Sequence, residues 1–237
     1  MIVVLLPRGE GAAGTLCRLD ADETHHLRVR RAEAGEVVEV RDGAGLVGSG
    51  KLSRAGPGWA VEIERAESAP RPARTILAVG AGDRDRFAWV VEKASELGVG
   101  TVVPVQTART AGVATRLRAG HLDKLRRLAL EGLKQSGGAW ATALDDPVPL
   151  ERFLETSSAG SRWLADAAGD PPPAQLGSIE VTVLVGPEGG FTESERDAIV
   201  AAGFRPTKLG AHILRFETAA VAAAAAVNAA RLRGSDG

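Results

Sequence analysis

The pattern of apolar and polar positions divides the chain into two parts. Up to residue 70, apolar runs of five to seven residues are separated by turn residues, and they lie at 2–6, 36–40, 46–52 and 59–63. Asp42, Gly43 and Gly45 separate two of these runs, which is typical of a β-hairpin. The first part therefore predicts a small β domain, and we expect a barrel.

From residue 75 onward, apolar strand-like runs alternate with stretches of helical period. A linker with two prolines at 67–74 precedes this change. The run at 75–80 is followed by a predicted helix at about 84–97, with Phe87 and Val90 on its apolar face. A second amphipathic helix is predicted at 121–138. This alternation predicts an α/β domain over 75–237, with a mostly parallel sheet and helices on both faces.

Residues 181–190 carry the first signal for a binding site. The apolar run 181–186 predicts a buried strand, and Pro187, Gly189 and Gly190 end it. Thr192 and Glu195 have the spacing of a capping box, so we expect a helix from about 193 to 202. A strand, glycine turn and helix start of this kind often hold a ligand at the carboxyl end of a parallel sheet. A tight turn without any ligand fits the same residues.

A second loop of the same kind follows at 206–216. The segment 206–210 predicts a short strand that ends in glycine, and a helix is expected from about 217 to 232. Nine of the twelve residues 219–230 are alanine. Such a slim helix suits a crowded position, although a plain buried helix is the alternative. Two glycine-edged loops at neighbouring strand ends predict a small-molecule cavity.

Composition narrows the possible classes of protein. The single cysteine, Cys17, excludes an intramolecular disulfide and a cysteine-rich metal site, and we predict no metal site. A net charge of −1 leaves room only for a local basic surface. Gly80 and Gly82 suggest a dinucleotide fingerprint, but Asp85 occupies its third glycine position, and we reject that interpretation. Without a signal peptide or a membrane-length apolar segment, we expect a cytoplasmic protein with no membrane partner.

Two motifs together resemble a known family. LVGPEGGFTESE at 184–195 and LGAHILRFETAA at 209–220 are similar to the paired C-terminal motifs of the 16S rRNA uracil-N3 methyltransferases. These enzymes belong to the SPOUT superfamily of knotted RNA methyltransferases, which use S-adenosyl-L-methionine. The helix and strand at 91–105 also match the family. His26, Leu27, Val29 and Arg31 match a stretch of its N-terminal domain.

The resemblance implies an architecture and partners. It implies a PUA-like β-barrel RNA-binding domain at 1–70 and a SPOUT methyltransferase domain at 75–237 with a C-terminal trefoil knot. It also implies a homodimer that acts on 16S rRNA within the small ribosomal subunit. The family has an arginine after the glycine at position 137, where this chain has Gly138.

The resemblance also implies residues for the cofactor and for RNA. The expected cofactor-binding residues are Leu164, Gly186, Glu188, Gly189, Gly190, Leu209, Gly210, Leu214 and Thr218. His26, Arg28 and Arg31 are the expected RNA-binding residues, although a solvated basic turn would also explain them.

The reaction itself suggests the catalytic candidates. N3 of uracil carries a proton at neutral pH, and its loss leaves negative charge on O2 and O4, which a cation stabilises. Arg215 is the first candidate for that cation and Arg109 the second, although Arg109 also fits a surface loop. Glu217 or Glu188 would accept the proton or hold a cofactor hydroxyl. For Glu217, a carboxylate favoured by the helix dipole is the alternative.

Two other functions remain open at this point. One is a SPOUT methyltransferase that acts on another RNA position. The other is a non-catalytic RNA-binding protein on the same scaffold. Binding of S-adenosyl-L-methionine separates the second from both enzymes.

Overall fold

The computed structural model describes residues 1–80, 82–110, 117, 119–157 and 160–234. The chain forms two compact units. The first comprises Met1–Arg71 with Leu130–Ala141, and the second comprises Pro72–Ala129 with Thr142–Gly237. The domains expected from the sequence were 1–70 and 75–237. The structure differs in one respect, because Leu130–Ala141 belongs to the first unit and not to the second.

The first unit contains five strands, one complete helix and the end of another helix. The strands and the complete helix are β1 (Ile2–Leu5), β2 (Leu16–Arg18), α1 (Ala21–Val29), β3 (Val37–Arg41), β4 (Leu46–Ala55) and β5 (Gly58–Ser68). Residues 130–136, at the end of the helix Ala119–Ser136, also belong to this unit. The sheet order is β1-β3-β4-β5-β2, so β1 and β2 form its edges. Among the described strands, β1 pairs with β3 and β2 pairs with β5, and no pairing joins β1 to β2. The expected small β domain is confirmed, and its closure into a barrel stays a prediction. The strand β2 was not predicted.

The hairpin between β3 and β4 is confirmed. Asp42 accepts hydrogen bonds from the amides of Ala44 (2.7 Å) and Leu46 (2.9 Å). Gly43 and Gly45 have φ angles of 67° and 109°, which residues with a Cβ rarely adopt. The carboxylate and the two glycines thus fix the turn that joins β3 to β4.

In the described residues, the second unit contains seven strands, four complete helices and residues 119–129 of a fifth helix. The strands are β6 (Thr75–Val79), β7 (Thr101–Gln106), β8 (Ala143–Leu144), β9 (Val148–Pro149), β10 (Ser161–Asp170), β11 (Val181–Val185) and β12 (Arg205–Thr207). The helices are α2 (Arg84–Glu96), α3 (Ala119–Ser136), α4 (Leu150–Thr156), α5 (Glu193–Ala201) and α6 (Phe216–Gly234).

The sheet of this unit has the order β12-β10-β11-β6-β7-β8, and β9 pairs with β7. Every described pair of neighbouring strands is parallel. The predicted α/β class with a parallel sheet is confirmed. Because β11 lies between β10 and β6, the loops after these three strands meet at one edge of the sheet. The trefoil knot stays a prediction.

Helices cover both faces of the sheet, as predicted. On one face, Leu77 and Val79 of β6 pack with buried residues of α2, α3 and α6. On the other face, Ile76 and Ala78 pack with buried residues of α4 and α5. Strand β11 is buried at all five positions, because both of its faces are covered.

The alanine-rich helix α6 packs closely against the sheet. It contacts α2, β6 and β11. Larger side chains at this contact would force α6 away from α2 and the sheet. The buried positions of α6 there are alanines: Ala220, Ala223, Ala224 and Ala230. Asn228 of α6 donates a hydrogen bond from Nδ2 to the carbonyl oxygen of Leu97 (2.6 Å).

In the described part of the chain, no helix is both long enough and apolar enough to cross a bilayer.

A buried ion pair joins the two segments of the first unit. Lys134, in the last turn of the helix Ala119–Ser136, donates from Nζ to Oε1 of Glu23 (2.8 Å). The two side chains are 7% and 6% exposed. Burial raises the pKa of Glu23, and the hydrogen bond and charge of Lys134 lower it without cancelling that effect. Together with the backbone hydrogen bonds from Gly45 to Ala139 and from Ala141 to Gly43 (both 3.0 Å), this ion pair attaches Leu130–Ala141 to the rest of the first unit.

Lys134→Met is expected to lower the free energy of unfolding by about 3 kcal/mol, because it leaves the Glu23 carboxylate buried without its partner. The double variant Glu23→Gln/Lys134→Met should recover most of that loss. Urea unfolding measures both values. Lys124→Met, an exposed site on the same helix, is the matched control. Equal stability of Lys134→Met and Lys124→Met would contradict the role given to the pair.

Candidate functional site

A cavity of about 680 Å³ lies in the second unit, beside the middle of β10 and the end of β11. Its walls come from 164–167 within β10, from 185–188, 190 and 191 at and after the end of β11, and from 213–216 before and at the start of α6. A smaller space of about 140 Å³, which includes Leu209, Gly210 and His212 in its wall, adjoins it and shares Leu214. This size and this place are usual for a small-molecule site in a parallel α/β fold.

The turn after β11 is compact because glycines surround it. The amide of Gly190, with a φ angle of 69°, donates to the carbonyl oxygen of Pro187 (2.8 Å). A Cβ at Gly80 would lie 2.7 Å from Cδ of Pro187, and one at Gly82 would lie 2.1 Å from Oε2 of Glu188. The glycines that suggested a dinucleotide fingerprint thus allow the β6 end to approach this turn.

The predicted capping box at the start of α5 is confirmed, and its glutamate has a second partner. Thr192 accepts from the amide of Glu195, whose side chain accepts from the amide of Thr192 (2.8 Å). The other carboxylate oxygen of Glu195 accepts from the amide of Ala108 (2.7 Å). Glu195 therefore fastens the loop after β7 to the start of α5.

Arg109 lies in that fastened loop. Its Nη1 donates to the carbonyl oxygen of Gly189, although Arg109 is not among the residues that line the cavity. The loop is also closed by a hydrogen bond from the amide of Thr107 to the hydroxyl of Thr110 (2.8 Å). Residues 111 and 112 of the predicted arginine loop lie outside the described residues. Arg109 thus supports the β11 turn from the neighbouring loop.

The ionisation of Glu195 follows from these contacts. Partial burial raises its pKa, but the donors at Ala108 and Thr192 and the charge of Arg109 outweigh burial, and the net pKa is lowered. The stabilisation from the ionised carboxylate is therefore present above the ordinary pKa of glutamate. It is lost as the pH falls below that range.

The cavity wall carries charges of both signs. Arg196 of α5 pairs with Asp166 of β10, so these two charges largely neutralise each other. Nη1 of Arg86 lies 3.6 Å from Oε1 of Glu217. Arg215 is exposed, and among the described residues its side chain has no ion pair or hydrogen bond. Sequence reasoning missed Arg86, Asp166 and Arg196. A usable signal for Arg86 was its place in the first turn of the helix after β6.

The expected cofactor residues fall into three groups. Five line the larger cavity, two line the adjoining space, and two lie elsewhere. The first five are Leu164, Gly186, Glu188, Gly190 and Leu214. Leu209 and Gly210 line the adjoining space. Gly189 faces Arg109, and Thr218 is exposed on α6 outside both walls.

The expected catalytic residues are also divided. Arg215 lines the cavity. Arg109 contacts the turn beside it, and Glu217 is bound to Arg86 rather than open to the cavity. The structure therefore brings Arg215 into direct reach of a ligand and gives the other two residues contacts with the protein.

The expected RNA-binding residues lie at the end of α1 in the first unit. Arg28 and Arg31 are exposed, and Arg31 has a φ angle of 55°. His26 is half-buried, and its pKa is lowered by burial and by the charges of Lys134 and Arg30. The helix is capped by Asp20, which accepts from the amide of Glu23 (2.8 Å).

Asp20, and not Asp22, is the N-cap residue of this helix. An N-cap residue needs an extended backbone, which Asp20 has with ψ at −178°. Asp22 lies in the first turn of the helix instead.

The sequence and the fold of the part of the chain that forms the cavity are those of an RNA methyltransferase domain. The sequence profile of that domain matches residues 69–228, and a profile of the RNA methyltransferase PUA domain matches 19–58. The chain belongs to this family, in which it is similar to proteins named ribosomal RNA small subunit methyltransferase E.

Two of these relatives show the extent of the similarity. The protein from Mycobacterium bovis is 30% identical over 230 residues, which are 90% of this chain and 86% of the relative. The protein from Synechocystis is 29% identical over 225 residues, which are 89% of this chain and 72% of the relative.

Solved structures agree with the fold. A Legionella pneumophila methyltransferase in complex with its cofactor SAM has a TM-score of 0.86 at 27% identity, covering 97% of this chain and 98% of its own. A ribosomal RNA small subunit methyltransferase E from Neisseria gonorrhoeae, bound to S-adenosyl methionine, has a TM-score of 0.84 at 25% identity. That match covers 95% of this chain and 96% of the other.

Glu195→Ala is expected to raise the hydrogen-exchange rate of the Ala108 amide by about tenfold, because a hydrogen bond to a charged acceptor contributes about 1.5 kcal/mol. Amide exchange followed by NMR measures the rate. Glu193→Ala, in the same first turn of α5, is the control. Unchanged exchange at Ala108 in Glu195→Ala would show that the loop is held by other contacts.

Proposed function

We propose that this protein transfers a methyl group from S-adenosyl-L-methionine to N3 of a uridine in 16S rRNA. The observation that carries the proposal is that both resembling motifs line the cavity of about 680 Å³, through 186–188 and 190 of the first motif and through 213–216 of the second. The names of the relatives support an rRNA substrate, and the cofactor bound in the solved relatives supports the methyl donor.

The cavity fits such a cofactor on its own features. Its volume of about 680 Å³ suits a ligand of this size. Leu164, Leu214 and Phe216 offer an apolar wall for an adenine ring. A Cβ at Gly186 would lie 3.0 Å from the ring of Phe191, so the glycine allows this ring to pack against the turn at the cavity wall. The cofactor, when bound, supplies a methyl group on a positively charged sulfur.

The protein's own residues then have to orient the base and move one proton. The proton on N3 must leave as the nitrogen forms its new bond to carbon. Glu188 is exposed at the cavity wall, and we propose it as the proton acceptor. Arg215 at the same wall stabilises the negative charge that develops on the uracil oxygens. Arg109 supports this site through its contact with Gly189.

The first unit is proposed to bind the RNA backbone. Arg28 and Arg31 are exposed at the end of α1, and His26 lies beside them. Because this chain has Gly138 where the family has an arginine, these exposed cations would carry more of the phosphate contact. We further propose that the protein acts as a homodimer on the small ribosomal subunit in the cytoplasm.

Gly186→Val is expected to weaken the binding of S-adenosyl-L-methionine by about tenfold to a hundredfold. The branched side chain would meet Phe191 and push the turn out of shape, at a cost of about 1–3 kcal/mol. Isothermal titration calorimetry measures the affinity. Gly177→Val, at an exposed glycine with no atom near its Cβ position, is the control. Parental affinity in Gly186→Val would exclude this turn from the cofactor site.

The parent protein is expected to incorporate tritiated methyl groups into unmodified small ribosomal subunits, and base mapping should find 3-methyluridine. Arg215→Ala should lose about a hundredfold in rate while it keeps its affinity for the cofactor. Methylation at another base would favour a methyltransferase of different specificity. Absence of cofactor binding at millimolar concentration would favour the non-catalytic RNA-binding protein. A parental rate in Arg215→Ala would refute its catalytic role.

A further inference from the structure

We infer that Arg86 is a second catalytic cation of this site and that Glu217 is the residue that positions it. This inference rests on the proposed function and adds a residue to it. Arg86 lies on α2, far in sequence from both motifs, and lines the same cavity as Arg215. The loss of a proton from N3 spreads negative charge over O2 and O4 of uracil, so each of two cations can stabilise the charge on one oxygen.

The backbone of Arg86 is held firmly. Asp83 caps α2 and accepts hydrogen bonds from the amides of Asp85 (3.0 Å) and Arg86 (2.9 Å). The next residue, Phe87, is fully buried in the core between α2 and the sheet. Arg86 therefore starts from a fixed point at the end of β6, next to the turn after β11.

The side chain of Arg86 is restrained by a residue of α6. Its Nη1 lies 3.6 Å from Oε1 of Glu217, in the first turn of α6. The glutamate side chain is 13% exposed and that of Arg86 is 40% exposed, so the pair has a buried acid and a partly open guanidinium. Arg215 has no comparable tether among the described residues. A cation that is fixed before the reaction stabilises developing charge better than a mobile one.

One atom of this pair lacks a partner. Oε2 of Glu217 is buried and accepts no hydrogen bond within the described residues. A buried carboxylate oxygen without a donor is costly, and a guanidinium offers two parallel donors to a carboxylate. We expect the contact of 3.6 Å between Arg86 and Glu217 to shorten when a ligand fills the cavity, so that the guanidinium donates to both carboxylate oxygens in a two-point contact. Glu217 would then orient Arg86 rather than accept a proton from the base.

Charge at the cavity supports a separate role for Arg86. Arg196 is neutralised by Asp166, so it adds little positive potential. Glu217 is paired with Arg86 and does not itself line the cavity, whereas Arg86 does. Among the described residues that line the cavity, Arg86 and Arg215 are therefore the arginines that remain available to a bound base.

Arg86→Gln tests the inference. Methyl transfer at neutral pH should fall by about a hundredfold, while the affinity for S-adenosyl-L-methionine stays within about threefold of the parent. Arg86→Lys keeps the charge but loses the two-point contact with Glu217, so its rate should lie between the two. The control is Arg84→Gln, two residues earlier on α2, where the side chain contacts His121 outside the cavity.

A pH profile separates a catalytic from a structural role. If Arg86 stabilises the deprotonated base, the rate ratio of parent to Arg86→Gln should shrink as the pH rises from about 6.5 to about 9.5, because solvent then removes the proton. The remaining charged groups at the cavity are common to both proteins and cancel in the ratio. They are Asp166, Glu188, Arg196, His212, Arg215 and Glu217. A constant ratio would overturn the inference.

Glu217→Gln tests the positioning role. It should lower the rate by about tenfold at unchanged cofactor affinity, and the double variant with Arg86→Gln should be no slower than Arg86→Gln alone. Additive losses would refute the coupling. A tenfold loss of cofactor affinity in Arg86→Gln would make Arg86 a cofactor ligand and overturn the inference. Absence of methyl transfer by the parent itself would instead refute the proposed function.

Discussion

The burial of β11 is the constraint on which the site depends. All five of its residues are buried, with β10 on one side, β6 on the other and helices on both faces. Its carboxyl end therefore has a fixed position, and so does the turn that follows. The contacts of Gly80, Gly82 and Arg109 with that turn add to this rigidity. Main-chain groups on such a platform can select a ligand without large side-chain movements.

Local chemistry explains what could be predicted from the sequence. The Val181–Val185 strand, the capping box at Thr192 and the hairpin at Asp42 depend on neighbours within a few residues, and all three were predicted correctly. The two loops that carry the motifs were expected to form one cavity, and both line it or its adjoining space. Apolar period and turn residues therefore determined most of the second unit.

Contacts between distant segments explain what could not be predicted. Lys134 lies on an amphipathic helix, where a lysine is usually solvated. It forms a buried ion pair with Glu23, which is more than a hundred residues away in the sequence. Glu195 could be recognised as a helix cap, but its bond to Ala108 comes from another loop. Arg86 enters the site because β6 lies beside β11, which depends on strand order. In each case the side chain has an ordinary local environment, and its role depends on the topology.

The same distinction bears on how the proposed reaction is shared among side chains. Glu217 and Arg215 come from the recognised motif, whereas Arg86 comes from a helix outside it. The motif supplies an exposed cation and a buried carboxylate, and the carboxylate in turn fixes a second cation from α2. Because α6 also packs closely on α2 through its alanines, any shift of that helix would move Glu217 and loosen Arg86. The small residues of α6 thus serve the site by keeping the helix carrying Glu217 close to the helix carrying Arg86.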